Sequence, residues 1–461
     1  MKIKKIADFL NSLFLGERLR ARTLRSLVFA VVSFGGTNFL RLASNLILTR
    51  LLFPEAFGLM AMVQVVMVGL EMISDTGVRT SIVQNRRGDE PSFLNTAWSI
   101  QIARGVLLWL IVLLISNPVA QFYEQPMLVQ LLPIAGMVAI LKGFESTKLA
   151  TADRKLAMGR MTILELVSQT FGILMMIVLA IWTQSVWALV VGGLFGAILK
   201  MILSHTYLPG PNNRLQWDVT AFHEIFHFGK YIFVASLAGF LVIHADRVIL
   251  GKFVSLTELA VYNIGFFLAS VPMMMSYQLG TKILLPLYSA ILRGPDLANK
   301  RKAMLARAGL TSAMLAFALL LGLAGDWLIR LLYLPAYHLA GPIMVLLSLA
   351  YMPVIAITAY GSLLLANGDS RSFTFMAIVS AAVKSLFLFV GISNFGVIGA
   401  IAAPPLATVM VYPLTAWFVH RHGGWNPRLD LAFFAFILAA GALTLWINDT
   451  AIAQVLAGVA D

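Results

Sequence analysis

The chain has 461 residues, of which 59% are hydrophobic and only 12% are charged. Soluble domains carry about 25% charged residues, so a mean hydropathy of +0.86 over the whole chain excludes a soluble enzyme and a disordered chain. The absence of Cys excludes disulfides, thiolate metal sites and cysteine nucleophiles. The composition therefore predicts many membrane-spanning helices.

The predicted fold is an all-α integral membrane protein with two six-helix bundles related by a parallel repeat, about 12–13 transmembrane helices in all. Each predicted span is an apolar stretch of about the length that crosses a bilayer. The N-terminal six-helix lobe is predicted over 26–204, with spans near 26–48, 56–74, 97–116, 127–145, 161–182 and 186–204. The C-terminal six-helix lobe is predicted over 229–419, with spans near 229–250, 258–281, 304–325, 339–366, 372–391 and 396–419.

Three further segments flank these lobes. Residues 1–25 place apolar side chains at helical spacing among basic ones, which predicts a cytoplasmic amphipathic helix on the membrane surface. Residues 205–228 are predicted to be a cytoplasmic connecting loop with an interfacial helix. The extra C-terminal segment, 420–461, contains a thirteenth hydrophobic stretch at 431–447. This stretch leaves three alternatives open: an external C-terminus, a helix that does not span, or a shortened chain.

The net charge of +13 reflects membrane topology. Of the 34 Lys and Arg residues, 26 fall in one set of loops, three in the opposite set and five within spans. The positive-inside rule then places the N-terminus in the cytoplasm. The basic residues are thus expected to meet anionic membrane lipids and not nucleic acid.

Two segments of the chain match at an offset of 202 residues. Residues 45–59 and 247–261 share an Ile-Leu pair, a basic residue three positions later and a small residue at Gly58 and Ala260. Both run from the outer end of one span into the next. This pattern predicts two halves of the same orientation, the parallel repeat of transporters that hold substrate between the halves.

The stretch TRLLFPEAFGLMAM at 49–62 resembles the signature after the first helix of Wzx-type polysaccharide exporters. The stretches HADRVILGKFVSLTELAVYN at 244–263 and HEIFHFGKYI at 223–232 resemble the second-half counterpart and the helix before the seventh span. These exporters form the polysaccharide transporter branch of the multidrug/oligosaccharidyl-lipid/polysaccharide exporter superfamily.

The resemblance implies a flippase, not an enzyme. Such a protein moves a polyprenyl-diphosphate-linked oligosaccharide across the bacterial inner membrane, by alternating access, for O-antigen, capsule or exopolysaccharide assembly. No cofactor is expected, and the polysaccharide polymerase and export machinery are candidate partners. A lipid II flippase and a drug or cation antiporter of the same superfamily are the alternatives within transport.

Five basic residues lie within the predicted spans, where a charge facing lipid costs about 2.5–3.5 kcal/mol or more. Arg41 and Asn45 belong to one polar stripe of the first span, and Arg104, Arg247 and Lys384 add cations from both halves. Arg suits a diphosphate because its guanidinium binds phosphate oxygens in a bidentate manner. The predicted substrate-binding set therefore consists of Asn45 and four of the five in-span basic residues, namely Arg41, Arg104, Arg247 and Lys384. Structural ion pairs, such as Arg41 with Glu71 or Arg247 with Asp246, are the alternative, as is snorkelling for Arg104 and Lys200.

No P-loop sequence is present, so the energy is expected to come from an ion gradient or from consumption of the flipped lipid. Glu71, Glu165 and Asp246 are the candidate ion-coupling residues. Compensation of the in-span cations is the alternative role for these carboxylates.

His223-Glu224-Ile-Phe-His227 matches the HExxH pattern of zinc proteases. No third ligand is recognisable in a fitting position, so no metal site is predicted and a membrane-embedded zinc protease remains only an alternative. The competing interpretation is an interfacial helix with Phe222, Ile225 and Phe226 meeting lipid. A glycan polymerase or ligase is disfavoured because the outer loops are short, about 3 to 13 residues.

Overall fold

The computed structural model describes residues 19–75, 77–155, 157–293 and 297–457. The side chains of 19–31, 227–235, 290–300 and 454–457 are not described. Most of the predicted surface helix at 1–25 therefore lies outside the described residues. Every regular element among those that are described is helical, which confirms the predicted all-α class.

The chain divides into two compact units, which are described separately. Unit 1 comprises Met1–Phe53 and Val66–Ser236, and unit 2 comprises Pro54–Val65 and Leu237–Asp461. The helices that begin in the first half of the chain are α1 (Leu19–Leu51), α2 (Pro54–Ile73), α3 (Val78–Gln84), α4 (Pro91–Phe122), α5 (Leu128–Phe144), α6 (Lys148–Arg154), α7 (Met158–Thr183), α8 (Trp187–Thr206) and α9 (Val219–Phe253).

The remaining helices belong to unit 2. They are α10 (Leu256–Ala269), α11 (Val271–Leu279), α12 (Leu285–Arg293), α13 (Leu297–Leu332), α14 (Ala340–Ala366), α15 (Ser370–Arg421), α16 (Pro427–Ile447) and α17 (Asp449–Ala457). A π-helical turn at Gly280–Leu284 joins α11 to α12, and a 3₁₀ turn at Pro335–Tyr337 precedes α14.

All thirteen predicted spans lie on helices. In the described part of the chain, eight helices are long and apolar enough to cross a membrane, and two bent helix pairs raise that number to ten. One bent pair follows from Pro272, because the chain turns by 44° between α10 and the helical stretch beginning at Val271. The predicted interfacial helix before the seventh span is the N-terminal part of α9.

Helix α15 contains two of the predicted spans. Gly396 interrupts it with φ 53° and ψ −130°, a conformation that a side chain would strain. The two halves then return past each other so closely that a Cβ on Gly399 would lie 2.0 Å from the carbonyl oxygen of Gly391. Glycine at these positions thus lets two spans form one tight hairpin.

Small residues also bring α7 and α8 together in unit 1. A Cβ on Gly192 would lie 2.4 Å from Cγ of Met176, and one on Gly196 would lie 3.2 Å from Cα of Gly172. Gly192 and Gly196 form a GxxxG sequence, the small-residue pattern of closely packed membrane helices, and here it lets α7 and α8 approach closely.

Helix α14 is the central helix of unit 2. Most of its residues are buried, and it packs against α10, α13, α15 and α16. The residues of α16 that do not face the bundle include the exposed Leu431, Leu438 and Trp446. An apolar helix with one buried and one exposed apolar side is typical of the periphery of a membrane bundle.

The two repeat segments have the same local structure. Helix α1 ends at Leu51 and α2 begins at Pro54, while α9 ends at Phe253 and α10 begins at Leu256, so both boundaries differ by the predicted 202 residues. Within unit 2, Thr257 donates a hydrogen bond of 2.8 Å to Glu55, its counterpart at the same offset. This contact therefore joins equivalent positions of the two matching segments.

Candidate functional site

A cluster of ionisable residues is buried in unit 2, where α9 meets α10, α14 and α15. Arg247 lies 3.8 Å from the ring centroid of Phe266 on α10, and its Nη1 is 3.0 Å from Nδ1 of His244. His244 and Arg247 therefore share a face of α9, as their spacing predicts. The guanidinium is held by an aromatic face and an imidazole and not by a carboxylate.

Asp246 occupies the same cluster and is almost completely buried, with 1% of its surface exposed. Its Oδ2 accepts a hydrogen bond of 2.7 Å from the Tyr262 hydroxyl. Its Oδ1 and Nε of Arg247 are buried and have no hydrogen-bond partner among the described residues. Since buried polar atoms are nearly always paired, two such atoms on neighbouring residues indicate a place where an ion, water or ligand binds.

Lys384 adds a second cation to this cluster from α15. Its Nζ donates a hydrogen bond of 2.5 Å to the carbonyl oxygen of Val242, and it interacts electrostatically with Asp246 and Arg247. The cluster thus contains two cations and one carboxylate at a depth where a net charge is costly. It brings together three of the predicted residues, Asp246, Arg247 and Lys384.

Arg41 and Asn45 lie on α1, in unit 1. Arg41 is exposed and Asn45 is half-buried, whereas Thr49 on the same stripe is buried and bonds to the carbonyl oxygen of Asn45 at 2.8 Å. Their predicted roles in substrate binding stay predictions.

Arg104 lies in a different environment of unit 1. Its Nε donates a hydrogen bond of 3.1 Å to the Ser74 hydroxyl, and its Nη2 donates one of 2.7 Å to the carbonyl oxygen of Glu71. The Glu71 carboxylate accepts from Lys142 at 2.7 and 2.8 Å. Glu71 is therefore paired with Lys142. Arg104, Glu71, Lys142 and Lys200 line one cavity of about 300 Å³.

Glu165 is the third predicted ion-coupling residue. It accepts a hydrogen bond of 3.0 Å from Ser33 of α1, and Gln169 of the same face donates 3.1 Å to the carbonyl oxygen of Thr37. The polar face of α7 thus packs against α1.

The HExxH segment forms the start of α9, and its glutamate is engaged elsewhere. Glu224 accepts from Asn85 at 2.5 Å and from Arg87 at 3.2 Å. Arg87 also binds Glu90 and Asp218, each at 2.8 Å. These carboxylates, Glu90 first, raise the pKa of Arg87, and Arg87 in turn lowers the pKa of Asp218.

The side chain of His227 is outside the described residues. Those that are described hold no group of three or more potential ligands that could bind a metal. The predicted contact of Ile225 with lipid is wrong. This residue is 1% exposed and packs in an apolar cluster with Val78, Phe93 and Leu94, because the start of α9 lies on α3 and α4.

Unit 2 contains a second buried ionic cluster, which was not predicted from the sequence. Nη2 of Arg307 on α13 lies 2.5 Å from Oδ1 of Asp430 on α16, and both residues are 3% exposed. Tyr360 and Tyr412 donate to Oδ2 of Asp430 at 2.5 and 2.7 Å, and the Arg307 guanidinium lies over the Tyr360 ring. Arg307 lies near the start of the predicted span 304–325. The signal available in the sequence was that Arg307 and Asp430 carry opposite charges, each near the start of an apolar stretch.

The apolar helices and the buried ionic clusters define a multi-pass integral membrane protein. The chain belongs to the family described as polysaccharide biosynthesis protein, which matches residues 47–340.

Two curated relatives are similar over about two thirds of this chain. The teichuronic acid biosynthesis protein TuaB of Bacillus subtilis is 22% identical over 65% of this chain and 62% of its own length. The lipopolysaccharide biosynthesis protein WzxC of Escherichia coli is 19% identical over 59% of this chain and 56% of its own length. The chain thus spans about three fifths of the length of the relatives it matches. The predicted Wzx-type family is confirmed.

One similar solved structure is the lipid II flippase MurJ in an inward closed conformation. It has a TM-score of 0.69 at 11% identity and covers 93% of this chain and 98% of its own. At this identity the likeness concerns the fold alone, and it agrees with the predicted all-α, multi-helix membrane architecture.

Proposed function

We propose that this protein is a flippase for a polyprenyl-diphosphate-linked oligosaccharide, acting by alternating access in the bacterial inner membrane with its N-terminus in the cytoplasm. The observation that carries the proposal is the excess of buried positive charge around Arg247 and Lys384. A diphosphate brings the negative charge that such a cluster lacks, and membership of a polysaccharide biosynthesis family supplies the class of cargo.

The surroundings of Arg247 suit a ligand that arrives and leaves. An aromatic face and a neutral acceptor hold the guanidinium in place without neutralising it. Its Nε has no partner among the described residues and can donate to a phosphate oxygen. Arg41, Asn45 and Arg104 complete the proposed substrate-binding set.

Asp246 is the strongest of the proposed ion-coupling residues. Its unsatisfied Oδ1 lies in a cluster with two cations, so a proton or a metal cation there would change the local charge that the substrate meets. Glu71 and Glu165 are the other two candidates, although each already accepts hydrogen bonds within unit 1.

The alternatives receive less support. Glu224 is bound by Asn85 and Arg87 and is not placed to act as the general base of a zinc protease. The two-residue connections α1–α2 and α9–α10 leave no room for the large outer loop that a glycan polymerase or ligase is expected to present.

The test is transfer across liposomes that carry polyprenyl-diphosphate oligosaccharide in one leaflet. A membrane-impermeant lectin detects glycan on the opposite leaflet. The variant Arg247→Gln with Lys384→Gln is expected to lose most of the transfer, whereas Arg371→Gln with Arg428→Gln, which removes two exposed cations of unit 2, is expected to keep it.

Equal transfer by both double variants would reject the cationic cluster as the diphosphate site. No transfer by the wild type, together with transfer of lipid II or of a cationic dye, would reject the proposed cargo.

A further inference from the structure

Unit 1 contains a polar cavity of about 300 Å³, and Arg104 of the proposed substrate-binding set lies in its wall. The cavity is lined by residues of α2, α4, α5 and α8 and of the short helices α3 and α6. Four cations line it, namely Arg79, Arg104, Lys142 and Lys200, together with the carboxylates of Glu71 and Glu145.

Close helix packing keeps part of this cavity free of side chains. A Cβ on Gly105 of α4 would lie 2.5 Å from the carbonyl oxygen of Ala139, and one on Gly143 of α5 would lie 2.8 Å from that of Gln101. The two helices therefore meet backbone to backbone along one wall. The longer polar side chains point into the space beside that wall.

Three of the four cations have carboxylate partners within 4 Å. Lys142 pairs with Glu71 at 2.7 Å, Lys200 with Glu145 at 3.3 Å, and Arg79 with Asp153 at 2.6 Å.

Arg104 is the exception. Among the described residues its guanidinium donates hydrogen bonds to the Ser74 hydroxyl and the Glu71 carbonyl oxygen and forms no ion pair within 4 Å, although the carboxylates of Asp75 and Glu71 act on it at longer range. A guanidinium has five donors, so Arg104 retains both a charge and donors for an anion.

Aromatic side chains of the kind found at lipid headgroups lie beside the cavity. Phe144 lies between the lining residues Gly143 and Glu145, and its ring is in edge contact with the ring of Trp98. The Trp98 indole also donates a hydrogen bond of 3.4 Å to the carbonyl oxygen of Phe144. Trp and other aromatic rings collect at the membrane–water interface. Leu107, one turn from Arg104 on α4, is 58% exposed, which places an apolar surface for an acyl chain beside the polar cavity.

We propose that this cavity binds a phosphate group carried by a lipid, with Arg104 as its main contact and Lys142 and Lys200 as secondary donors. Two sources share this chemistry: the headgroup of an anionic phospholipid such as phosphatidylglycerol, and the diphosphate of a polyprenyl carrier. Glu71 and Glu145 hold the two lysines in position and compete with the incoming phosphate for them. The site is distinct from the Arg247–Lys384 cluster of unit 2.

The test is a titration of the delipidated full-length protein in detergent, with bound lipid counted by native mass spectrometry. Short-chain phosphatidylglycerol, a polyprenyl diphosphate and inorganic phosphate are the three probes, and diacylglycerol is the control without phosphate. Arg104→Gln is expected to weaken lipid-phosphate binding about tenfold or more, the value of one charge-assisted hydrogen bond. Arg160→Gln, which removes an exposed guanidinium of unit 1, is expected to leave it unchanged.

The variant Glu145→Gln is expected to change lipid-phosphate affinity in the opposite direction. It removes the partner of Lys200, so lipid-phosphate binding is expected to become severalfold tighter, a result that mere loss of structure would not produce. This variant keeps the proposal testable even if Arg104→Gln fails to fold.

Weaker binding of either lipid probe by Arg104→Gln supports the site, and the probe affected identifies the source. Binding that is equal in Arg104→Gln and Arg160→Gln, or binding of inorganic phosphate without either lipid, overturns it. The polyprenyl source rests on the proposed flippase function, whereas the phospholipid source does not. Because binding is measured here without transport, and the transfer assay varies Arg247 and Lys384, failure of this site is distinguishable from failure of the proposed flippase.

Discussion

The buried ion pair between Arg307 and Asp430 is expected to fix α16 to the rest of unit 2. Replacing Asp430 with Asn removes the counter-charge of a guanidinium that is 3% exposed. The two carboxylate oxygens of Asp430 accept hydrogen bonds from Arg307, Tyr360 and Tyr412. Asn replaces one of these acceptor oxygens with an amide group that can only donate. Removing one partner of a buried ion pair costs about 3–5 kcal/mol.

The free energy of unfolding is measured by titration with a denaturing detergent, followed by tryptophan fluorescence. Asp430→Asn is expected to lose about 3–5 kcal/mol. Asp449→Asn is the matched control, since it removes an exposed carboxylate just beyond the other end of α16, and it is expected to lose less than about 1 kcal/mol. The double variant Arg307→Met with Asp430→Leu is expected to lose less than Asp430→Asn, because it leaves no unpaired buried charge.

A second measurement follows from the absence of native Cys. A cysteine introduced at Ala440, which is 4% exposed on the docked side of α16, is expected to react slowly with a maleimide in the wild-type background. In the Asp430→Asn background it is expected to react faster, since α16 separates more often. A cost below about 1 kcal/mol for Asp430→Asn, or a double variant that loses the sum of the single costs, would refute the reasoning.

Three further predictions concern other parts of the molecule. Gly58→Val is expected to lower both stability and transfer in the liposome assay, because even a Cβ would lie 2.2 Å from the carbonyl oxygen of Leu256; wild-type transfer would contradict it. The pKa of Asp369 is lowered to about 2, first by its hydrogen bonds with Ser372. This contribution to stability is present above about pH 4 and is lost as the pH falls towards 2, so the thermal midpoint of Asp369→Asn should depend less on pH over that range. Glu224→Gln, which breaks a partly exposed pair, should cost less than about 1 kcal/mol, and purified protein should contain no stoichiometric zinc by elemental analysis.

The sequence is sufficient to place the helices, because a span leaves a long apolar signal that tertiary contacts do not change. All thirteen predicted spans lie on helices, and the helical spacing puts His244 and Arg247 together. The same reasoning does not identify partners across helices. Glu71 pairs with Lys142, a residue 71 positions away on another helix, and nothing in the helical spacing indicates this pair.

Residues at the ends of spans were the least predictable. Arg307 and Lys148 are basic residues near the ends of helices, yet they are only 3% and 5% exposed. Long basic side chains can bury their stems while the charged end finds partners, and Lys148 does so through the carbonyl oxygen of His205 at 2.7 Å and Asn212 at 2.9 Å. Hydropathy records only that such residues are polar, so it cannot separate a solvated charge from one satisfied by the fold.

The two repeat segments reach one geometry by different local means, which explains why their sequence match is short. Helix α2 begins with Pro54, whose fixed φ suits the first helical position and whose missing N–H would have no partner there. Helix α10 begins after Ser255, which forms a capping box with Glu258. In both segments two residues separate the end of one helix from the start of the next. The hydrogen bond between Glu55 and Thr257 joins equivalent positions of the two segments. What the two segments share is therefore the position of the turn, and a comparison of the halves by residue identity alone understates how similar they are.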